Sequence, residues 1–99
     1  MAKKVYISGK ITGLELKQAE SNFEAVSAFI RMYGDEPVNP MKILPYHPDL
    51  KWEDYLKADI KALCDCHSIV MMPNWKESKG AIFEHDVAQR LGLEIQYLK

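Results

Sequence analysis

The sequence places two carboxylates on helix faces that are otherwise apolar. At about 100° of rotation per residue, Asp59 falls beside Trp52 and Leu63 in the apolar stripe of one predicted helix. Glu84 falls beside Ala88 in the stripe of another. A buried carboxylate is costly unless it is paired or functional, and burial raises its pKa. The two positions therefore indicate either nucleophilic and acid–base chemistry or structural ion pairs with Lys or Arg.

Ser78 and Gly80 stand where the helix that carries Glu84 begins. A serine at this position caps a helix by accepting a hydrogen bond from a backbone N–H group. The other N–H groups of the first turn, together with the helix dipole, favour a bound anion. The pattern predicts either a site for a phosphate or a sugar 5′-hydroxyl, or a simple N-terminal cap.

Tyr6 lies near the carboxyl end of a predicted strand and points to the side opposite Val5 and Ile7. A buried tyrosine hydroxyl usually needs a hydrogen-bond partner. Tyr6 therefore belongs either to the core or to a site at the end of this strand.

The cysteines and histidines do not form a recognisable metal motif. Cys64 and Cys66 are separated by one residue and followed by His67, which does not match the usual zinc spacings. We interpret this segment as the end of a helix that turns into a strand. We expect no metal site and no organic cofactor.

Four strands and three helices are predicted along the chain. Short β-branched and aromatic runs predict strands at 4–8, 36–39, 68–72 and 93–97. Apolar residues at helical spacing predict helices at about 15–33, 52–63 and 80–91. Gly34 and Gly92 follow two of these helices, where a glycine commonly ends a helix. The apolar stripe of the last helix comprises Ala81, Val87, Ala88 and Leu91.

The order of these elements predicts an α/β fold. Strands that alternate with helices form a parallel sheet with helices on both faces, here a three-layer, Rossmann-like (flavodoxin-like) sheet of about four strands. Ligands of such sheets bind at the carboxyl ends of the strands, which here are residues 8–13, 39–48 and 73–80. The segment 40–51 holds three prolines and is predicted to be a loop that covers the site.

Length and charge limit the classes of partner. The 99 residues fit a single domain, 1–99. A net charge of −1 with interspersed signs argues against long nucleic acid as a partner. The longest apolar run covers only residues 69–73, so we expect no membrane span. With no leader pattern and no disulfide framework, a cytoplasmic location is expected.

Three segments resemble the nucleoside 2-deoxyribosyltransferase-like family. Residues 6–13 resemble its first strand and loop, residues 52–60 its second acidic segment, and residues 78–85 the segment that carries its nucleophile. The resemblance extends over nearly the whole chain and is closest to a compact branch of the family. It implies an activity on the N-glycosidic bond of a nucleoside or nucleotide.

The resemblance also implies roles for individual residues. Glu84 matches the glutamate that attacks C1′ of the sugar, Asp59 the aspartate that assists at the sugar or base, and Tyr6 the tyrosine that orients the nucleophile. Ser78 matches a serine that contacts the 5′-phosphate in 2′-deoxynucleoside 5′-monophosphate N-glycosidases, which favours a nucleotide over a nucleoside. The residues expected to bind substrate are Ser8, Gly9, Lys10, Ile11, Gly13, Asn39, Ser78 and Gly80.

The sequence departs from the family pattern at two points. His67 stands just before the third strand, where the family often has an acidic residue. Family members often receive a further site residue from a C-terminal segment of a neighbouring subunit, whereas this sequence stops at Lys99, straight after the last predicted strand. Either that element is missing or something else completes the site. The resemblance further implies a homo-oligomer, a dimer or higher.

The sequence leaves three functions open. The first is a hydrolase or transferase in which Glu84 attacks C1′ of a nucleoside 5′-monophosphate or nucleoside. The second is a non-catalytic protein that binds or senses a nucleotide in the same pocket. The third is a structural or interaction module. The expected ligand for the first two is a small nucleoside or nucleotide.

Overall fold

A computed structural model describes residues 2–45 and 47–99 of the chain. Its strands are β1 (Lys4–Ser8), β2 (Glu36–Val38), β3 (Ser68–Met71) and β4 (Glu94–Tyr97). Its helices are α1 (Leu16–Met32), α2 (Trp52–Cys64) and α3 (Lys79–Leu91). Short 3₁₀ turns occupy Pro40–Lys42 and Trp75–Glu77. Residue 1 of the predicted domain 1–99 lies outside the described residues, as does residue 46 of the predicted loop 40–51.

The four strands form one parallel sheet in the order β2-β1-β3-β4. The central strands β1 and β3 pair through residues 5–8 and 68–71, so their carboxyl ends lie side by side. Helices pack on both faces of the sheet, which confirms the predicted three-layer α/β fold. None of the described helices combines the length and apolarity that a membrane crossing requires.

Strand alternation divides the core between the two faces of the sheet. Tyr6, Ile69 and Met71 face one side, where Leu63 of α2 and Ala81 and Ala88 of α3 pack against them. Val5, Ile7, Val70 and Met72 face the other side, against Phe23 and Ile30 of α1. Residues of β3 belong to both clusters, so this strand is covered on both faces. Apolar side chains are then needed at successive positions, which explains its continuous apolar run.

The close approach of β1 and β3 at their carboxyl ends requires a glycine. A Cβ atom built on Gly9 would lie 2.6 Å from Sδ and 2.9 Å from Cβ of Met72. These separations are shorter than side chains tolerate, so any larger residue would push the two strands apart. Gly34 and Gly92 follow α1 and α3 with φ of 84° and 73°, the left-handed backbone that ends a helix.

One residue on the predicted apolar stripe of α2 and one on that of α3 are about half exposed. Trp52 is 48% and Leu91 52% exposed. Trp52 begins α2 and Leu91 ends α3, so each has the correct rotational phase but lies at a helix end. Helix phase alone therefore overestimates burial at these two positions.

Candidate active site

A cavity of about 990 Å³ opens at the carboxyl end of the sheet. Its walls come from the loops that follow β1 and β2, the first turns of α1, the first half of α2 and the beginning of α3. This is the location predicted from the strand order. Asp59 and Glu84 both line the cavity.

Glu84 is buried, and each of its carboxylate oxygens accepts one hydrogen bond. Its exposed fraction is 4%. The Tyr6 hydroxyl donates to Oε2 at 2.7 Å, and the Ser8 hydroxyl donates to Oε1 at 2.6 Å. Both donors come from β1, so one strand fixes both oxygens of a side chain on α3. The carboxylate thus has a defined orientation without a cationic partner among the described residues.

Burial raises the pKa of Glu84 to about 7, and the hydrogen bonds from Ser8 and Tyr6 act in the opposite direction. Both hydroxyls lower the pKa because they stabilise the ionised carboxylate. A carboxyl with this pKa is available as an anion near neutral pH, and it is a stronger nucleophile than one with an ordinary pKa.

Asp59 differs from Glu84 in its partners. It lies on α2 with a partly buried side chain, and no hydrogen-bond donor or cation contacts its carboxyl among the described residues. Burial, and then the negative charge of Glu84, raise the pKa of Asp59 to about 7. Because Glu84 has two hydroxyl donors and Asp59 has none, ionisation of the pair favours the charge on Glu84 and the proton on Asp59.

Tyr6 is fully buried and serves as a permanent donor. Burial, followed by the charges of Glu84 and Asp59, raises the pKa of Tyr6 well above its ordinary value. Its hydroxyl therefore stays protonated throughout the neutral range. The sequence left open whether Tyr6 belongs to the core or to a site, and the structure gives it both environments: its ring lies in the core and its hydroxyl contacts Glu84.

Ser8 lies beneath the cavity and is not one of its lining residues. It is fully buried, and its hydroxyl is directed at Glu84. The family resemblance implied that Ser8 binds substrate, whereas in the structure its hydroxyl contacts the Glu84 carboxylate and does not line the cavity. Strand periodicity explains the placement, because Ser8 lies two residues after Tyr6 and so faces the same side.

The loop after β1 contributes some of its predicted residues to the cavity. Gly9 and Ile11 line it, but Lys10 and Gly13 do not. The backbone N–H of Lys10 donates to Oδ1 of Asn74 at 3.1 Å, and its ammonium lies 3.4 Å from Glu77. Lys10 therefore ties the loop after β1 to the loop after β3. Gly13 adopts a φ of 92° in the turn before α1.

The remaining predicted residues line the cavity in two groups. Ser78 and Gly80 lie at the start of α3, where Oγ of Ser78 accepts a hydrogen bond of 3.1 Å from the Ala81 N–H. Asn39 lies after β2, where its Oδ1 accepts from the Met41 N–H at 3.0 Å. In both cases the side-chain oxygen caps a turn, and the Ser78 O–H and the Asn39 NH₂ are left as donors.

Several lining residues were not predicted as site residues. The part of α2 that precedes Asp59 forms an apolar and aromatic wall of the cavity, made of Trp52, Tyr55 and Leu56. The signal was present for Trp52 and Leu56, which share the helix face of Asp59. Lys17, Glu20, Ser21 and Glu24 on α1 also line the cavity. Nothing in the sequence distinguishes them from an ordinary solvent-facing helix surface.

The Cys64–His67 segment forms the turn between α2 and β3. Cys64 is exposed, Cys66 is buried, and Nδ1 of His67 accepts a hydrogen bond of 3.1 Å from the Lys4 N–H. Burial raises the pKa of the Cys66 thiol to about 11, so it remains protonated. Across residues 2–45 and 47–99, no cluster of three or more His, Cys, Asp or Glu side chains has the arrangement of a metal site.

The sheet order and the cavity at its carboxyl end define an α/β protein with the fold of a deoxyribosyltransferase. Among solved structures, the chain is similar to a 2-desoxiribosyltransferase from Leishmania mexicana, with a TM-score of 0.73 and 18% identity. The alignment covers 97% of this chain and 63% of that one, so this chain spans less than two thirds of that protein. The expected resemblance is confirmed at the level of the fold.

The sequence itself identifies the family. Residues 3–97 match the family described as Domain of unknown function (DUF4406), and the chain belongs to it. A search of the curated proteins finds no match.

Proposed function

We propose that this protein cleaves or transfers the N-glycosidic bond of a nucleoside 5′-monophosphate or nucleoside, with Glu84 as the nucleophile. The observation that carries the proposal is the Glu84 carboxylate at the cavity wall. It is 4% exposed and held by hydroxyl donors on both oxygens, without a cation to neutralise it. A structural ion pair would look different, because it would place Lys or Arg against the buried charge.

In the first step, a Glu84 oxygen attacks C1′ of the sugar. The C1′–N bond breaks, and the base leaves with the proton that Asp59 carries. The sugar is then held as an ester of Glu84 through an oxocarbenium-like transition state. The pKa of about 7 for Asp59 suits this role, because a carboxyl with an ordinary pKa would hold no proton near neutral pH.

In the second step, the ester is broken and Glu84 is regenerated. In a hydrolase, water attacks C1′ and passes its proton to the ionised Asp59. In a transferase, a ring nitrogen of a second base attacks C1′ and passes its proton to Asp59, and the C1′–O bond to Glu84 breaks. Both routes end with the configuration at C1′ retained, because each contains two displacements.

The cavity walls favour a nucleotide over a nucleoside. Ser78, Gly80 and Ala81, at the start of α3, line the cavity, and a helix N-terminus stabilises an anion such as a 5′-phosphate. Trp52 and Tyr55 provide aromatic surface for a base. The likeness to a protein named as a 2-desoxiribosyltransferase supports the same reaction class, through the fold that the two share.

The test is release of base from a panel of substrates. The purified protein is incubated with ribo- and deoxyribonucleoside 5′-monophosphates and with free nucleosides, and base is measured by chromatography. We expect release from at least one nucleotide, lost by at least about a thousandfold in Glu84→Gln because the amide is not a nucleophile. Adding a second base then distinguishes transfer from hydrolysis.

A matched variant separates loss of the nucleophile from loss of a carboxylate in general. Glu94→Gln makes the same change at an exposed residue at the opposite end of the sheet, and it should keep wild-type activity. If no substrate releases base, the catalytic proposal fails for this panel. A rise in melting temperature with a nucleotide, without base release, would instead indicate a binding protein.

A further inference from the structure

Ser8 and Tyr6 act on the two oxygens of one carboxylate from a single strand. Both residues are fully buried, and they lie two positions apart on β1, on the face that meets α3. Oγ of Ser8 lies 2.6 Å from Oε1 of Glu84. This short distance is typical of a hydrogen bond from a hydroxyl to an ionised carboxylate. The register of β1 with β3, in which Ser8 pairs with Met71, fixes the Ser8 backbone and thereby its hydroxyl.

We propose that Ser8 is a positioning residue that holds Oε1 of Glu84, so that the carboxylate stays ionised and its attacking face is directed at C1′. This inference rests on the proposed function, in which Glu84 is the nucleophile. Ser8 does not line the cavity, so it acts on the reaction through Glu84 and not by contact with the sugar.

Burial explains why one donor would not be sufficient. A carboxylate in an apolar setting loses its hydration, and each missing hydrogen bond favours the protonated form. With Tyr6 alone, Oε1 would lack a donor among the described residues that surround it. The titratable groups that face Glu84 are Tyr6 on β1 and Asp59 on α2, whereas its neighbour His85 is turned away, against Trp75 and Tyr97.

The same hydrogen bond acts when the ester intermediate breaks. As the C1′–O bond opens, its electron pair returns to the Glu84 carboxylate, which becomes the leaving group. A donor already in place on Oε1 stabilises this charge without reorganisation. Ser8 therefore contributes to both displacements, and its loss should reduce kcat more than it changes KM.

The test compares Ser8→Ala with Ser27→Ala. Ser27 is also fully buried, but its hydroxyl donates to the Phe23 carbonyl within α1. Phe23 packs on the face of the sheet opposite to Tyr6. Both variants lose one buried hydroxyl. We expect kcat of Ser8→Ala to fall about tenfold to a hundredfold, the value of a hydrogen bond to a charged group. Ser27→Ala should keep the wild-type kcat.

The pH profile shows whether Ser8 acts through Glu84. The acidic limb of kcat/KM, which follows ionisation of Glu84, should move to higher pH in Ser8→Ala and stay in place in Ser27→Ala. Ser8→Cys, which keeps a weak S–H donor in a side chain of similar shape, should fall between Ser8→Ala and the wild type. An acidic limb unchanged in Ser8→Ala would overturn the proposal.

A second measurement does not depend on turnover. Titration of the ¹³C signal of the Glu84 carboxyl reports its ionisation directly, and its midpoint should rise in Ser8→Ala relative to the wild type and Ser27→Ala. An unchanged midpoint removes the role of Ser8. Absence of base release by the wild type removes the proposed function instead, so the two failures are distinguishable.

Discussion

At the scale of single residues, the two carboxyls of the cavity are unlike in their surroundings. Glu84 is buried with a donor on each oxygen, whereas Asp59 is half-buried with no donor among the described residues. Burial disfavours the charge on both, but hydrogen bonds restore it only on Glu84. These surroundings favour the negative charge on Glu84 and the proton on Asp59, although the two groups are chemically similar.

Asp59→Asn tests the role of proton carrier. The amide cannot protonate the departing base, so release of an ordinary base should slow by about a hundredfold to ten-thousandfold. An N7-methylated purine already carries a positive charge and leaves without a proton, so its release should slow much less. The measurement is kcat/KM for the two nucleotides in the wild type and the variant.

Asp65→Asn is the control for this comparison, because it makes the same change at the exposed end of α2. It should leave both rates unchanged. Equal slowing of the two nucleotides by Asp59→Asn would mean that Asp59 acts on the sugar and not on the leaving base.

At the scale of elements, each helix that lines the cavity contributes its amino-terminal half. α3 supplies Ser78 at its cap and Glu84 in its second turn, and α2 supplies Trp52 in its first turn and Asp59 in its second. The parallel sheet produces this arrangement, because every strand delivers the chain to the same edge before a helix begins. The tie from Lys10 to Asn74 and Glu77 then holds the loop after β1 against the loop before α3.

Ser78→Asp tests whether the start of α3 holds a 5′-phosphate. Aspartate caps a helix as well as serine, so the melting temperature should stay close to that of the wild type. Its negative charge would oppose a phosphate at the same position, which should raise KM for a nucleoside 5′-monophosphate by about tenfold or more. KM for the free nucleoside should change little.

Ser78→Asn is the matched variant, because asparagine keeps the cap and the size of aspartate without its charge. Its KM for the nucleotide should remain near the wild-type value. A KM that rises equally for nucleotide and nucleoside in Ser78→Asp would place the phosphate elsewhere in the cavity.

At the scale of the whole molecule, burial of the two carboxyls is expected to lower the free energy of unfolding once they ionise, near and above neutral pH. The pKa values of Asp59 and Glu84 are each raised to about 7 in the folded protein. The folded state therefore binds these protons more tightly than the unfolded state does. The stability that the protonated groups contribute is fully present below about pH 4 and is lost as the pH rises through about 7.

A protein carrying both Asp59→Asn and Glu84→Gln removes this dependence, because neither amide ionises. Its melting temperature should exceed that of the wild type near pH 8, by about 4–8 °C for each kcal/mol gained. The difference should shrink as the pH falls towards 4. The measurement is thermal unfolding of both proteins across this range.

Asp86→Asn makes a comparable change at a solvent-exposed carboxyl that pairs with Arg90, where burial does not penalise the charge. Its melting temperature should follow the wild type across the range. A double variant whose advantage does not depend on pH would show that burial of the two charges does not cost the fold stability.

The order of the elements and the rotational phase of each helix could be predicted from the amino-acid sequence. Periods of two and of about 3.6 residues are local properties, so the parallel sheet, the edge at which the cavity opens and the inward phase of Asp59 and Glu84 all followed from them. The resemblance of three segments also indicated the fold that the Leishmania mexicana transferase shares.

Which side chains contact one another could not be predicted, because it depends on how the elements pack. Ser8 and Glu84 are separated by 76 residues along the chain, and their contact depends on how α3 packs across β1. For the same reason the Lys10 ammonium pairs with Glu77 and does not line the cavity, and Trp52 is half exposed despite its apolar phase. A periodic pattern fixes the direction of a side chain from its own element, but its partner is set by the packing of elements distant in sequence.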